Sequence, residues 1–450
     1  MERYIIKYLM DSTHDEWRKR YYDYMRLALD HHLWSYGNNI SSSLERWIDH
    51  KQNYVIPKHG IVRFILSKIK SKPQRVKPVE SNIRVTSDKA YKYKLLAIYQ
   101  KPYLPDDTIE ALHQLGITVE YAYDEGKVWT DAMGRLNSWY SKMKFLPFNE
   151  IIMDNHIEEL KEIYTSLLDA IKQSKIDALV VFTAEPFEAK ILIDIFRELG
   201  RISMELIHGI PGSKPTEENR VDYVLTYGDG IKRIFLDAGF EEEKVLVSGN
   251  SKYVKYPDLI KDHLRCSTDD VLVLTSASSV EHQHQWEYDN FSTNDRSLLI
   301  AYLYSVEAVL KRVGVTHARL RPHPIVDKHW LSQFVDMDFY EMDYLSLSES
   351  YAKATCCIGQ NSTAVLEAIQ SGVSYIVYEP GDGKHSLTGD KLIPLYDGSN
   401  PYLKVAYKEE DLEQMINAHY CPDIRVLNGF MECFKPEVIK EVLDKHCNNK

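Results

Sequence analysis

Short runs of apolar residues alternate with longer amphipathic stretches from residue 93 onward. The runs are rich in Val, Ile and Leu, which is typical of strands buried on both faces of a parallel sheet. The stretches between them repeat apolar residues at helical spacing, so the alternation predicts an α/β fold. The predicted strands form two sets, at residues 95–99, 117–121, 178–182, 202–207, 223–226 and 245–247, and at 271–275, 318–321, 339–341, 354–358 and 374–378. The predicted helices are at 108–115, 158–173, 187–199, 230–238, 295–313, 345–354 and 364–370.

A polar join separates the two strand sets. A chain of 450 residues is too long for one ordinary core, so two domains with an appendage are expected. Two doubly wound units in series bind ligands in the cleft outside the C-terminal ends of their strands. We therefore predict a mainly helical and basic extension at 1–89, an N-terminal Rossmann-like domain at 90–252, a C-terminal Rossmann-like domain at 253–428 and a C-terminal helix or tail at 429–450.

Composition excludes several classes of protein. The net charge of −11 argues against a dedicated nucleic-acid binder. The chain has neither an apolar run long enough for a transmembrane helix nor the apolar core of a signal peptide. Its six cysteines lack zinc-type spacing, so we expect reduced thiols and a cytoplasmic location.

The segment 58–94 is strongly basic, although the chain as a whole is acidic. Apolar residues are interleaved with its Lys and Arg side chains. Such a pattern suits a helix that lies on an anionic membrane surface, which would make the protein peripheral on the cytoplasmic face of the inner membrane. The alternative is a solvated helix packed on the main body.

The stretch 357–380 reads as a strand end, a polar turn, a helix and another strand. Gly359 permits a backbone turn, and Asn361 or Ser362 is a natural N-cap for the helix. A helix that begins just after a strand suits an anion, and Ser362 and Thr363 add hydroxyl donors there. The alternative is that Ser-Thr is only a helix cap.

Asp124 and Glu125 follow the strand at 117–121. Paired carboxylates at a strand end can include one with a raised pKa that acts as a general base. The alternative is an ordinary acidic turn before Gly126. The loop residues 127–149 of the same domain are expected to set acceptor specificity.

Arg321-Pro322-His323-Pro324 follows a buried strand of the second set. Prolines on both sides hold the backbone of His323 rigid, which suits a histidine directed at a phosphate. Arg321 adds charge, and Pro324 completes the candidate donor-binding loop. A structural histidine in a proline turn is the alternative.

Weaker candidates occupy other loops after strands. Ser276 and Ser278 lie in a hydroxyl-rich turn, His208-Gly209 follows a strand of the first set, and Asn250 lies at the domain join. His282 and His284 have no accompanying ligands at convincing spacing, so no metal site is predicted. The sequence also lacks a Walker loop, a strand-linked GxGxxG and a Gly-x-Ser-x-Gly elbow.

In their order, Asp124-Glu125-Gly126, His323-Pro324 and Ser362-Thr363 resemble the motifs of bacterial GT-B sialyltransferases, including capsule polysialyltransferases and related Kdo transferases. The resemblance implies an inverting, metal-independent transferase without a cofactor. It would move an acid sugar from a CMP-sugar to a glycan acceptor of a capsule or lipopolysaccharide. Asp124 would be the base with Glu125 as fallback, and His323, Ser362 and Thr363 would bind the phosphate of CMP.

Other functions fit parts of the same pattern. Gly359, Ser362, Thr363 and Glu367 also match a Gly-x-x-Ser-Thr-x-x-x-Glu-Ala pattern found in transferases with other nucleotides, so a UDP-sugar or CDP-polyol donor is an alternative. A UDP-sugar 2-epimerase is another, since residues 247–250 are similar to its domain join. A non-catalytic scaffold in glycan assembly is the third, but a scaffold needs neither Asp124 nor His323.

Overall fold

The structure is a computed structural model that describes residues 2–28, 91–98, 103–143, 148–184, 187–211, 221–254, 264–276, 296–324, 326, 328–387 and 391–447. The chain divides into two compact units. One contains residues 1–92 and 138–158, and the other contains 93–137 and 159–450. Ser278 and most of the basic segment 58–94 lie outside the described residues.

The first unit is helical in its described part. It begins with α1 (Glu2–Ser12) and α2 (Glu16–Ala28). Tyr21 of α2 is buried, its hydroxyl donates to the carbonyl of Ile151, and its ring meets Trp139 edge-on at 6.3 Å between centroids. Arg18 forms an ion pair with Asp154 at 2.7 Å. None of the helices in the described ranges is both long and apolar enough to cross a membrane.

The first half of the second unit contains a six-stranded, all-parallel sheet in the order β2-β1-β3-β4-β5-β6. The strands are β1 (Tyr93–Ala97), β2 (Ile117–Tyr121), β3 (Ala178–Val181), β4 (Ile202–Leu206), β5 (Tyr223–Thr226) and β6 (Val245–Val247). Between them in sequence lie α3 (Asp106–Gln114), α4 (Thr130–Met143), α5 (Phe148–Ile151), α6 (Asp154–Gln173), α7 (Phe187–Glu198), α8 (Asp229–Asp237) and a 3₁₀ turn, Glu242–Lys244.

The second half contains another six-stranded parallel sheet, in the order β12-β11-β10-β7-β8-β9. Its strands are β7 (Val271–Leu274), β8 (Ala318–Arg321), β9 (Tyr340–Met342), β10 (Cys356–Gly359), β11 (Ser374–Tyr378) and β12 (Val405–Ala406). Its helices are α9 (Arg296–Arg312), α10 (Lys328–Leu331), α11 (Leu347–Lys353), α12 (Ala364–Gln370) and α13 (Glu409–Asn417), with a 3₁₀ turn at Ile424–Leu427. The chain continues to α14 (Pro436–Cys447), which packs on the first half.

This arrangement confirms the predicted α/β class with two Rossmann-like parallel sheets. Strands β3, β4, β5, β7 and β10 are buried at every residue, because helices cover both faces of each sheet. The positions that made the apolar runs visible in the sequence are therefore those that form the two cores. The segment boundaries at residues 89, 252 and 428 stay predictions.

The prediction of a loop over residues 127–149 is wrong, because α4 occupies most of it. Trp129, Met133, Leu136, Tyr140 and Met143 are all buried and repeat at three- to four-residue spacing. This is the apolar stripe of an amphipathic helix. Glycine and polar residues between the apolar positions hid the stripe in the sequence.

The end of the chain returns to the first half. Phe434 and Leu443 belong to the core beneath β1 to β5, and the hydroxyl of Tyr223 lies 2.7 Å from Nε2 of His446. The crossing requires Gly249, whose φ is +73° and where a Cβ would lie 1.9 Å from the carbonyl oxygen of Cys433. The glycine at the domain join thus permits close backbone contact with the returning segment.

Candidate functional site

Three loops meet at the C-terminal edge of the second sheet, because β8, β7 and β10 are neighbours there. The backbone N–H of His323 donates to Oγ1 of Thr275 at 3.0 Å. The backbone N–H of Ser276 donates to Oε1 of Gln360 at 3.1 Å. The structure thus brings the predicted residues Ser276 and His323 beside the turn that leads to α12.

The turn from Gly359 to Thr363 is fixed by groups beneath it. The backbone N–H of Asn361 donates to the Glu379 carboxylate, and Tyr396 donates to the Ser362 carbonyl at 2.9 Å. Gly359 does not adopt a positive φ. A Cβ there would lie 2.0 Å from the Tyr375 hydroxyl oxygen, so close packing and not a turn explains this glycine.

A layer of buried polar groups underlies this turn. Gln360, Asn361 and Glu379 are buried, and each has one side-chain N or O atom without a hydrogen-bond partner among the described residues: Nε2, Oδ1 and Oε2 respectively. Burial raises the pKa of Glu379 to about 7, although the bond from Asn361 N–H opposes the shift. The turn therefore rests on a carboxyl group that titrates near neutrality.

Thr363 connects the two halves of the second unit. Its Oγ1 accepts a hydrogen bond from the backbone N–H of Ile210 at 2.9 Å, and a Cβ on Gly209 would lie 3.0 Å from the same oxygen. Ser362 Oγ accepts from Ala364 N–H at 3.2 Å. A hydroxyl that accepts in this way still has its own hydrogen to donate to an anion.

His208 lies next to this contact, and its tautomer follows from its partner. Nδ1 lies 2.8 Å from the Phe182 carbonyl oxygen, which can only accept, so Nδ1 carries the proton and Nε2 has the lone pair. The residue as a whole is exposed to solvent. Desolvation of the ring by neighbouring protein lowers the pKa of His208, the hydrogen bond with Phe182 opposes this shift, and the nearby charge of Lys252 lowers the pKa further. A neutral imidazole of this kind can act as a base.

Lys252 and Glu367 complete the arrangement, although no sequence pattern marks Lys252. The Lys252 ammonium lies 3.9 Å from the Glu367 carboxylate, and the two side chains are 25% and 15% exposed. Burial raises the pKa of Glu367. Glu367 lies on α12, four residues after Thr363, the residue that precedes the helix, and this spacing places both on one helix face. We call His208, Gly209, Lys252, Thr363 and Glu367 the cleft site.

The two carboxylates predicted to supply the general base, Asp124 and Glu125, lie at a different part of the first sheet from His208. It follows β2 at the sheet edge, whereas His208 follows β4, and β1 and β3 lie between these strands. At the usual strand spacing β2 and β4 are about 14 Å apart. Asp124 Oδ2 accepts from the backbone N–H of Tyr121 at 3.0 Å and so closes its own turn. Glu125 is exposed. The contacts that place Thr363 beside His208 do not include either carboxylate.

The other predicted residues have mainly structural contacts. The Arg321 guanidinium donates to the carbonyl of Leu345 at 2.6 Å and to Ser350 Oγ at 3.2 Å, and lies 3.5 Å from Asp343. Pro324 is exposed. The Asn250 backbone N–H donates to the carbonyl of Glu432 at 2.8 Å, in the segment that returns to the first half.

The residues that the structure describes contain no group of three His, Cys, Asp or Glu side chains that could hold a metal ion. All six cysteines are free thiols. The groups available for chemistry at the cleft site are therefore an imidazole, an ammonium, a carboxyl and hydroxyls.

Neither a protein-family model nor a curated protein matches this chain. Among solved structures, the UDP-GlcNAc 2-epimerase of Neisseria meningitidis bound to UDP-GlcNAc is 13% identical over 78% of this chain and 100% of that one, with a TM-score of 0.46. The UDP-GlcNAc 2-epimerase of Methanocaldococcus jannaschii in complex with UDP-GlcNAc and UDP is 15% identical over 78% and 99%, with a TM-score of 0.47. A variant of the wall teichoic acid polymerase TagF is 11% identical over 80% and 90%, with a TM-score of 0.38.

Proposed function

We propose that this protein is an enzyme that acts on a nucleotide-activated sugar or polyol and transfers the activated group to a hydroxyl of a glycan acceptor. The observation that carries the proposal is the hydrogen bond from Ile210 N–H to Thr363 Oγ1. It sets the hydroxyl-rich turn of the second half, which suits a phosphate, beside His208, which suits a base. An activated donor and a proton acceptor are the two components that such a transfer needs.

His208 is the proposed general base. Its Nδ1–H is held by the Phe182 carbonyl, so Nε2 takes the proton of the acceptor hydroxyl. The acceptor oxygen then forms a bond to the activated centre of the donor, and the bond between that centre and the nucleotide phosphate breaks. The lowered pKa of His208 keeps the imidazole neutral and competent at neutral pH.

The leaving phosphate gains negative charge as its bond breaks. Ser362 and Thr363 can donate hydroxyl hydrogens to it, and His323 lies on the adjacent loop. Donors that are already in place stabilise developing charge more than the charge of the ground state. We propose that these donors replace a metal ion in this reaction and that no cofactor takes part.

The proposal leaves three donor classes to compare: a UDP-sugar, a CDP-polyol and the CMP-activated acid sugar that the sequence resemblance implies. Asp124 as base is also still a prediction, and it competes with His208. Contact of the segment 58–94 with a membrane likewise stays a prediction.

A UDP-sugar 2-epimerase is the second candidate, and one observation favours it. His208 and Glu367 come from different halves of the second unit, and desolvation lowers the pKa of His208 and raises that of Glu367, so that the two pKa values move towards each other. Epimerisation at C2 requires a proton to leave one face of the sugar and another to arrive on the opposite face. Two such groups across a cleft could perform both steps.

The test is a donor panel in D2O. The protein is incubated with a UDP-sugar, a CDP-polyol and a CMP-activated acid sugar, with and without glycan acceptors, and free nucleotide and deuterium in the sugar are measured. Nucleotide release that depends on an acceptor supports transfer. Deuterium at C2 of a UDP-sugar without any acceptor supports epimerisation instead. If no donor gives acceptor-dependent nucleotide release or deuterium at C2, both candidates are contradicted.

A further inference from the structure

The strongest feature outside the proposed reaction is the pair formed by Lys252 and Glu367. Their charged atoms are 3.9 Å apart, which is too far for a hydrogen bond. Within the described residues neither the ammonium nor the carboxylate has a hydrogen bond to another group. A partly buried cation and carboxylate of this kind usually satisfy each other directly, because unmet polar groups cost free energy when desolvated.

The backbone around Lys252 is fixed. Lys252 N–H donates to Asn250 Oδ1 at 3.0 Å, and Ser251 Oγ donates to the carbonyl of Tyr103 at 2.8 Å. Phe434 N–H donates to the carbonyl of Tyr253 at 2.8 Å. These bonds to separate segments hold the start of the Lys252 side chain in one place. The gap between Lys252 and Glu367 is therefore not explained by a loose backbone.

Lys252 lies near groups of the cleft site from both halves of the unit, His208 in the first and Glu367 in the second. Its charge acts on His208, the proposed base. Glu367, its neighbour, is one helical turn from Thr363, about 6 Å along α12. The ammonium thus belongs to the first half of the unit and lies 3.9 Å from a carboxylate of the second half, on the helix that directly follows Ser362 and Thr363.

We propose that Lys252 binds a phosphate of the donor from the side opposite Ser362 and Thr363, so that the site holds two adjacent phosphates and selects nucleoside diphosphate donors over nucleoside monophosphate donors. This inference rests on the proposed function and specifies its substrate class. Of two adjacent phosphates, one can bind the hydroxyls of Ser362 and Thr363. The Lys252 ammonium, a compact charge with three hydrogen-bond donors, can bind the other. The CMP-activated donors would leave Lys252 without its ligand.

The experiment is calorimetric titration of UMP, UDP, CMP and CDP into the full-length protein and three variants. Lys252→Met removes the charge and keeps most of the stem, and Lys252→Arg restores a cation. Lys232→Met is the matched control, because Lys232 is 22% exposed and lies 3.7 Å from Glu242 in a similar long ion pair. Circular dichroism and the melting temperature establish that each variant is folded.

The wild type should bind the better diphosphate at least about tenfold more tightly than its monophosphate. Lys252→Met should weaken diphosphate binding about 10- to 100-fold, the usual range for a lost hydrogen bond to a charged group, and should change monophosphate binding much less. Lys252→Arg should recover most of the preference, and Lys232→Met should keep all of it.

Two results would overturn the inference, and they differ in meaning. Equal affinity for monophosphate and diphosphate in the wild type, or an unchanged preference in folded Lys252→Met, removes the role of Lys252 and leaves the proposed function standing. A wild type that binds none of the four nucleotides at millimolar concentration removes the proposed function as well.

Discussion

The hydroxyl oxygen of Thr363 accepts a hydrogen bond from the backbone N–H of Ile210 at 2.9 Å, although 153 residues separate the two in sequence. Thr363 immediately precedes α12 at the C-terminal edge of the second sheet, and Ile210 follows β4 at the C-terminal edge of the first. Ligands of doubly wound sheets bind at these edges. The bond therefore identifies the place where the two edges meet.

Replacing Thr363 with Val should weaken nucleotide binding. Valine keeps the branched shape but removes both the acceptor for Ile210 N–H and the hydroxyl donor for the phosphate. We expect the dissociation constant to rise about 10- to 100-fold, as for loss of a hydrogen bond to a charged group. Thr363→Ser keeps the hydroxyl and is the control. Calorimetry measures both variants, and wild-type affinity in Thr363→Val would remove Thr363 from the phosphate site.

Replacing His208 with Asn should abolish most transfer while nucleotide binding persists. The Asn amide can still donate to the Phe182 carbonyl, but it has no basic nitrogen. We expect kcat to fall about 10²- to 10⁴-fold, the usual contribution of general base catalysis. Asp124→Asn, made in parallel, should lower kcat less than tenfold, measured as acceptor-dependent nucleotide release. The opposite ranking would make Asp124 the base.

The acid limb of the pH–rate profile should report His208. A base must be unprotonated, so kcat/KM falls as pH drops through its pKa. Burial lowers the pKa of His208 from the ordinary 6.5, so the midpoint should lie below pH 6.5. In Lys252→Met the midpoint should move upward, because removing the nearby positive charge favours imidazolium. If the midpoint in Lys252→Met equals that of the wild type, the charge of Lys252 does not act on His208.

Glu379 should make stability depend on pH in a defined direction. Its pKa is raised from 4.5 to about 7 in the folded protein, so the native state binds this proton more tightly than the unfolded chain does. Its contribution to stability is complete below pH 4.5 and is lost as the pH rises through 7. Glu379→Gln, which keeps an oxygen for Asn361 N–H, should therefore gain stability relative to wild type between pH 5 and pH 8, by roughly 3 kcal/mol at most. Urea unfolding of both proteins at pH 5 and pH 8 measures the difference in unfolding free energy. If that difference is the same at both pH values, Glu379 is not a neutral carboxyl group in the folded protein.

Gly249→Ala should destabilise the crossing between the two halves. The new Cβ would lie 1.9 Å from the Cys433 carbonyl oxygen, at a backbone φ of +73° that alanine disfavours. Overpacking and the left-handed conformation together should cost roughly 2–5 kcal/mol of unfolding free energy. Gly134→Ala is the matched control, because that glycine lies inside α4 with no atom within 4 Å of a built Cβ. It should stabilise by about 1 kcal/mol through helix propensity. Equal effects in the two variants would contradict the packing argument.

Most of the fold could be predicted from the sequence because its signals are local. The bounds of α12 and β11 agree with the predicted 364–370 and 374–378, since helix formers, a Ser-Gly stop and a β-branched run determine them. The strand β12 has only two residues and no apolar run, so it left no signal. Helix α4 was missed because polar residues interrupt its stripe, as the burial of Met133 and Leu136 made clear.

The cleft site was harder to predict because its residues converge only through the tertiary fold. Thr363 was visible as a polar turn before a helix, and His208 as a histidine after a strand. Lys252 carries no sequence signal of its own, since one lysine in a polar join resembles any other. Asp124 stands out as one of two carboxylates after a strand, and neither that pattern nor the family motif shows that β2 lies at the sheet edge.

Titration of CMP, CDP, UDP and GDP into the wild type and into Thr363→Val tests the central claim most directly, since the claim requires one nucleotide site at the turn that contains Thr363. We predict that at least one of the four nucleotides binds the wild type with a micromolar dissociation constant and that Thr363→Val weakens it at least about tenfold. Absence of binding by all four at millimolar concentration, or equal affinity in the two proteins, would contradict the account.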